Sequence, residues 1–192
     1  MNMPRLKSNQ IIDAIESALD QVDADGKKLP PQKLHRSRSK IWVKNFAEEL
    51  KKQYPDENIK AFYRDKLSRE ILFDISIGYN EKFQTSKTKK PFDYIKKPLW
   101  QIESEFKRNV SHVAFDFTKL NSGCAPFKMM IGSISTQKKD REYFMNAVKE
   151  IAQNIKAEEL YYLLLSHPDD WDKKKDFFLY KWSGVKWCEE KN

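Results

Sequence analysis

Trp100–Gln101–Ile102–Glu103–Ser104–Glu105–Phe106 is the stretch on which the reading of this chain turns. Alternation puts Leu99, Gln101, Glu103 and Glu105 on one face of a strand and Trp100, Ile102, Ser104 and Phe106 on the other. The second face is apolar enough to be buried, whereas the first carries two carboxylates. A carboxylate taken from water into a sheet costs free energy unless something compensates it, and a bound divalent cation can do so. Before this stretch, Leu72–Phe73–Asp74–Ile75–Ser76–Ile77 reads as another strand, expected over 72–78 with Asp74 at its centre. After it, Asp116 and Lys119 fall one turn apart on a helix expected over 110–122, where Val113, Phe117 and Leu120 recur at helical spacing.

Helices are expected around Ile11–Leu19, with Ser8 as cap, and over 40–53, where Trp42, Phe46 and Leu50 share a face. Residues 59–67 suit a short helix or an extended segment equally. Residues 81–97 read as a basic hairpin arm, 127–134 as a buried strand and 138–155 as one amphipathic helix. Strands are expected over 160–165, 177–182 and 185–188, the last two joined by a tight turn at Ser183–Gly184. The strand–helix–strand unit from Pro98 to Ile134 predicts a parallel, right-handed crossover. The class is α/β with a mixed sheet. Two regions are expected: residues 1–39 as a helical extension and basic linker, and 40–192 as an α/β domain ending in an aromatic-rich strand region.

Lysine and arginine outnumber aspartate and glutamate by 36 to 28, giving a net charge of +8 and an isoelectric point near 9.3. The hydrophobic share of 40% is enough for a real core. The basic excess is concentrated in 27–44 and 82–97 and favours a polyanionic partner. Lys33, Arg36, Arg38 and Lys40 in the first run, and Lys87, Lys89 and Lys90 in the second, are the candidate phosphate contacts. Two distant cysteines, Cys124 and Cys188, make neither a zinc motif nor a disulfide framework, so a reducing cytoplasm is expected. No stretch approaches the roughly 20 apolar residues of a membrane span. With five glycines in all, no nucleotide-cradling loop is written in the sequence.

Phosphodiester hydrolysis needs an activated water, neutralisation of charge on the phosphoryl oxygens and help for the leaving alkoxide. Magnesium on two carboxylates meets much of this, because it prefers hard oxygen ligands and keeps waters in its shell. Asp74 and Glu103 are the expected ligands if their strands are antiparallel neighbours. Glu105 is a further ligand or a general base, and Lys119 a partner for the phosphoryl charge.

An acid at one strand, a pair of acids two apart in the next, then a helix and a hydrophobic strand resembles the PD-(D/E)xK nuclease superfamily. The resemblance covers about 40–134. It implies a restriction-endonuclease-like mixed β-sheet flanked by helices. Asp74 matches the first acid and Glu103 the second, while Glu105 stands where the superfamily usually has lysine; Lys119 fits a lysine moved to the following helix. A glutamate on the first core helix assists metal binding in many members, and Glu49 is the candidate, with Glu48 and Glu70 as rivals. The implied activity is Mg²⁺-dependent hydrolysis of double-stranded DNA, with Mn²⁺ as a substitute, by a restriction-type homodimer that needs no membrane. The alternative is a nucleic-acid-binding or assembly protein that retains the fold without the chemistry.

Each element also has an ordinary reading. A strand aspartate is more often a hydrogen-bonded strand end, and Glu103 and Glu105 suit the solvent side of an edge strand. His35, His112 and His167 show no ligand spacing. The aromatic C-terminal third, Tyr161, Tyr162, Trp171, Phe177, Phe178, Tyr180, Trp182 and Trp187, fits core packing or a dimer interface better than base stacking.

Overall fold

Among the described residues, seven strands form one sheet whose spatial order follows the order of the chain: β1 (Ile59–Tyr63), β2 (Ile75–Phe83), β3 (Phe92–Glu105), β4 (Phe127–Ile134), β5 (Glu159–Ser166), β6 (Phe177–Trp182) and β7 (Trp187–Glu190). The computed structural model describes residues 4–26, 34–63, 72–84, 91–134, 138–173 and 175–191. β3, β4 and β5 run parallel, and the other neighbours pair antiparallel. The mixed α/β class expected from the sequence is the class found. The parallel pairing of β3 with β4, Trp100 opposite Phe127 and Glu105 opposite Gly132, follows from the α-helix inserted between them.

Among the described residues, five α-helices cover the two faces: α1 (Ser8–Gly26), α2 (Leu34–Lys52), α3 (Val110–Lys119), α4 (Lys138–Ala147) and α5 (Lys149–Asn154). Period-two alternation in the strands sorts the core into two layers. Phe127, Met129 and Ile131 of β4 and Tyr161, Leu163 and Leu165 of β5 pack with Ile11, Ile15, Trp42 and Phe46 of α1 and α2. Met130, Tyr162 and Leu164 pack against Val113, Phe117, Phe144 and Ala152 on the other side. Because its apolar face lies in the same buried cluster as the sheet, α1 is part of the domain body and not an appendage.

Several boundaries moved. α2 begins at Leu34, six residues before the expected start, so part of the basic run is helical. The segment left open at 59–67 begins as β1. The expected helix over 138–155 is two helices, interrupted at Val148 (φ −96°, ψ 1°), which keeps its amide on the Phe144 carbonyl. The arm is an extension of the β2–β3 hairpin, with Phe83 opposite Phe92. Gly184 (φ +89°) supplies the left-handed residue that the β6–β7 turn requires.

The C-terminal aromatics are core. Trp42 stacks on Phe46 with centroids 5.0 Å apart, and Phe106 and Trp171 close on Trp42 at 6.1 and 6.5 Å and on each other at 6.3 Å. The Trp171 indole N–H donates to the Ser166 carbonyl at 2.6 Å, so its burial leaves no orphaned donor. Cys124 and Cys188 are free thiols. Among the described residues, no helix is long and apolar enough to cross a membrane.

Candidate functional site

The C-terminal end of β3 meets the start of β2 on one side and α3 on the other, and the predicted acids gather there. Asp74 is not at the centre of a strand: β2 starts at Ile75, and Asp74 occupies a bend one residue earlier. This position turns its carboxylate back toward β3, where Oδ2 accepts the Ser104 backbone N–H at 2.9 Å and the Ser104 hydroxyl at 2.6 Å. Ser104, expected only as a member of the Trp100 face, thereby ties the first acid to the Glu–Ser–Glu strand.

Glu103 is the buried member, with its side chain 2% exposed. Gln101, Glu103 and Glu105 alternate away from Trp100 and Ile102, so Glu103 faces α3, where Lys119 is carried on the last turn. Lys119 Nζ lies 3.4 Å from Glu103 Oε2 and 2.7 Å from Asp116 Oδ1. Glu103 Oε1 is buried without any hydrogen-bond partner. Burial, reinforced by the charge of Asp74 and only partly opposed by Lys119, pushes the Glu103 carboxyl up to about 8. Burial alone would lower the Lys119 ammonium, but the hydrogen bond to Asp116 and the charge of Glu103 outweigh it and raise it. Glu103 and Asp116 thus share one ammonium, and that cation only partly offsets the burial and the nearby charge of Asp74 that favour the protonated form of Glu103.

Glu105 stands at the strand end. Its Oε1 accepts the Lys107 backbone N–H at 2.7 Å, and its Oε2 is 3.8 Å from His112 Nδ1. Asp74, Glu103, Glu105 and Lys119 therefore lie around one end of β3, as the spacing implied.

Glu49 does not join them. Its Oε1 accepts from Gln21 of α1 and from Lys52, both at 2.6 Å, and although burial alone would raise its pKa, these bonds hold it lowered. Glu48 accepts the Tyr63 hydroxyl at 2.7 Å, and Glu70 lies outside the described residues. What α2 turns toward the site is its first half. Arg36, Ser39, Lys40 and Val43 line a cleft of about 280 Å³ with Asp74, Ser104, Glu105, Phe106 and Lys107.

Of the expected phosphate contacts, Arg36 and Lys40 are exposed on this cleft. Arg38 has another task. It is buried, donates to the Pro168 carbonyl at 3.1 Å and is ion-paired with Asp172, tying α2 to the turn after β5. Its sequence position signals this, since Arg38, Trp42 and Phe46 recur every four residues on the buried face. Lys33, Lys87, Lys89 and Lys90 lie outside the described residues. Sequence reading missed Lys107, because a residue just past a strand end carries no periodicity. It also missed Lys128, fully buried on β4, whose ammonium donates to the carbonyls of Leu120 (2.7 Å) and Gly123 (2.8 Å) and anchors the chain just after Lys119.

Among the described residues, no group of three or more His, Cys, Asp and Glu side chains is arranged to hold a metal ion. The fold and site define a mixed α/β protein with a buried carboxyl beside a lysine ammonium at the C-terminal end of β3, the first of its three parallel strands. No protein-family model matches the chain, and neither does any of the curated proteins with which it was compared.

Proposed function

We propose that this protein is a Mg²⁺-dependent endonuclease of the restriction-endonuclease-like fold that hydrolyses DNA phosphodiester bonds. The observation that supports this reading most is the buried Glu103 carboxyl, which lacks a partner at Oε1 and sits beside Asp74 and Lys119. An orphaned carboxylate oxygen inside a net-negative cluster suits a hard cation. Mg²⁺ is often held by only one or two protein carboxylates, with water and substrate phosphate completing the shell. Asp74 and Glu103 would hold it, with Ser104 fixing the Asp74 carboxylate. The bound ion would supply an activated water and neutralise phosphoryl charge. Glu105, at the strand end, would add a ligand or accept the proton of that water. Lys119, aimed by Asp116, would stand against the phosphoryl oxygens. A homodimer acting on double-stranded DNA belongs to the same proposal.

Asp74→Ala and Glu103→Ala are expected to abolish Mg²⁺-dependent nicking of plasmid DNA while leaving the far-ultraviolet circular dichroism unchanged. Nicking at the parental rate by both variants would sink the proposal.

A second reading has its own support. Lys119 already accompanies Glu103, and no larger metal-ligating group occurs among the described residues. That combination suits a nucleic-acid-binding or assembly protein that keeps the fold without the chemistry. Mn²⁺ separates the two. A catalytic site is stabilised by about 2.7 kcal/mol at a hundred times its dissociation constant, seen as a raised melting temperature lost in Asp74→Asn, whereas a binding module shows no Asp74-dependent shift.

A further inference from the structure

The cleft beside the acids has an uneven lining. On the α2 side, Arg36, Ser39, Lys40 and Val43 fall at i, i+3, i+4 and i+7, one continuous stripe of the helix. On the facing side, Lys107 follows directly from the strand that carries Glu103 and Glu105. The stripe is distinct from the core face of α2, which presents Arg38, Trp42, Phe46 and Leu50 to the interior. Arg38 and the neighbouring Arg108 are committed to Asp172 and Asp170. By contrast, among the described residues no carboxylate pairs with the side chains of Arg36, Lys40 or Lys107, although the cleft itself contains Asp74 and Glu105. Three exposed cations have therefore been left free around a cleft whose two acids are held elsewhere, Asp74 by Ser104 and Glu105 by the Lys107 amide. At about 280 Å³ the cleft falls below the roughly 300–1,000 Å³ of small-molecule pockets, and it sets Arg36, Lys40 and Lys107 around a wall that includes Val43 and Phe106. Its shape and charge suit one phosphate of a polymer rather than a whole small ligand.

We infer that Arg36, Lys40 and Lys107 form the two jaws of a backbone-phosphate site. This site grips a DNA phosphate flanking the one presented to Asp74 and Glu103. The inference rests on the nuclease reading for its substrate and deepens it in one respect: the first half of α2 contributes cations to the site, in place of the glutamate expected from that helix. Arg36 and Lys40 offer hydrogen bonds to phosphate oxygens from one side, and Lys107 closes from the other. Because Asp74 and Glu105 line the same cleft, a strand held there runs directly past the acids. Contacts of this kind set position along the backbone and carry no base sequence.

The test uses the full chain and a fluorescein-labelled 20-base-pair DNA duplex, with binding followed by anisotropy in Ca²⁺ so that no cleavage intervenes. The variant Arg36→Gln/Lys40→Gln/Lys107→Gln is compared with a charge-matched control, Lys139→Gln/Lys149→Gln/Lys156→Gln, whose residues are exposed on and around α4 and α5. The cleft variant should bind at least tenfold more weakly, with the slope of log affinity against log salt reduced by roughly 0.9, the share of one lost phosphate contact. The control should stay within twofold. Parental binding by the cleft variant, an equal loss in the control, or no binding by the parent would each overturn the inference, with melting temperatures confirming that the variants are folded. Plasmid nicking in Mg²⁺ keeps the two readings apart. Binding through the cleft without nicking removes the nuclease reading and leaves the cleft, whereas nicking that ignores the cleft variant does the reverse.

Discussion

Replacing Glu103 with glutamine should make the protein more stable, and the gain should grow with pH. The side chain is 2% exposed, its Oε1 has no partner, and burial beside Asp74 lifts its carboxyl from the ordinary 4.5 to about 8. A carboxyl whose folded pKa lies above its unfolded one binds more protons in the native state between the two values. Native stability therefore falls as pH rises from about 4.5 to about 8 and levels off above that. One pKa unit corresponds to about 1.4 kcal/mol, so the penalty carried by the wild type is of the order of 1 kcal/mol at pH 5, about 3 at pH 7 and approaching 5 at pH 9. Glutamine has nearly the same shape and does not ionise, so this penalty disappears while the packing against α3 remains. The assay is guanidinium denaturation followed by tryptophan fluorescence, in EDTA, at pH 5, 7 and 9 for both proteins. Glu103→Gln should gain on the wild type by about 2–4 kcal/mol between the ends of this range. A difference that stays constant with pH, or one that shrinks as pH rises, would refute the account of Glu103 as a buried, poorly compensated acid. A site that is costly to the fold is the signature of a group retained for chemistry, so the measurement bears on function as well as on stability.

Two further outcomes follow from the packing. Trp171→Ala should cost about 3–5 kcal/mol in denaturant unfolding, since it empties the space between Trp42 and Phe106 and leaves the Ser166 carbonyl without its donor; a loss below about 1 kcal/mol would show that the ring is peripheral. At Gly78, a Cβ would stand 2.4 Å from the Lys97 carbonyl oxygen and 2.9 Å from the Pro98 Cα, at the irregular stretch of the β2–β3 ladder. Gly78→Ala should therefore lower stability by about 1–3 kcal/mol, whereas unchanged melting would mean that the bulge can open without cost.

How far the fold could be read from sequence depended on the kind of signal each element carries. The strand at 127–134 was placed to the residue, because its largely apolar sequence, broken only by Lys128, Gly132 and Ser133, is bounded by Pro126. The α3 helix, with its period and the glycine beyond it, was nearly as clear. Asp74 was assigned to a strand interior because alternation cannot distinguish a strand's first residue from the bend before it. The start of α2 was missed because its first turns are charged and follow two prolines, so neither hydrophobic period nor capping marks them. Of the candidate site, Asp74, Glu103 and Lys119 were identified by type and spacing. Ser104 and Asp116 were placed on their elements, but their partners, like the place of Lys107, emerge only from the contacts.

What the sequence determined by itself is the set of faces: which residues of each helix and strand must be buried, and that two acids on β3 share a face. Those properties follow from local periodicity, which any regular segment carries without its neighbours. The tertiary structure decided the rest, namely which partners those faces meet. Arg38 and Lys40 lie two residues apart in one basic run, yet one is packed inward against Pro168 and Asp172 while the other opens on the cleft. Glu49 and Glu103 are both buried glutamates, yet two donors hold the first lowered and burial beside Asp74 pushes the second up. Charge and hydrogen bonding act over a few ångströms between segments far apart in the chain, so the chemical state of an acid belongs to the assembled fold.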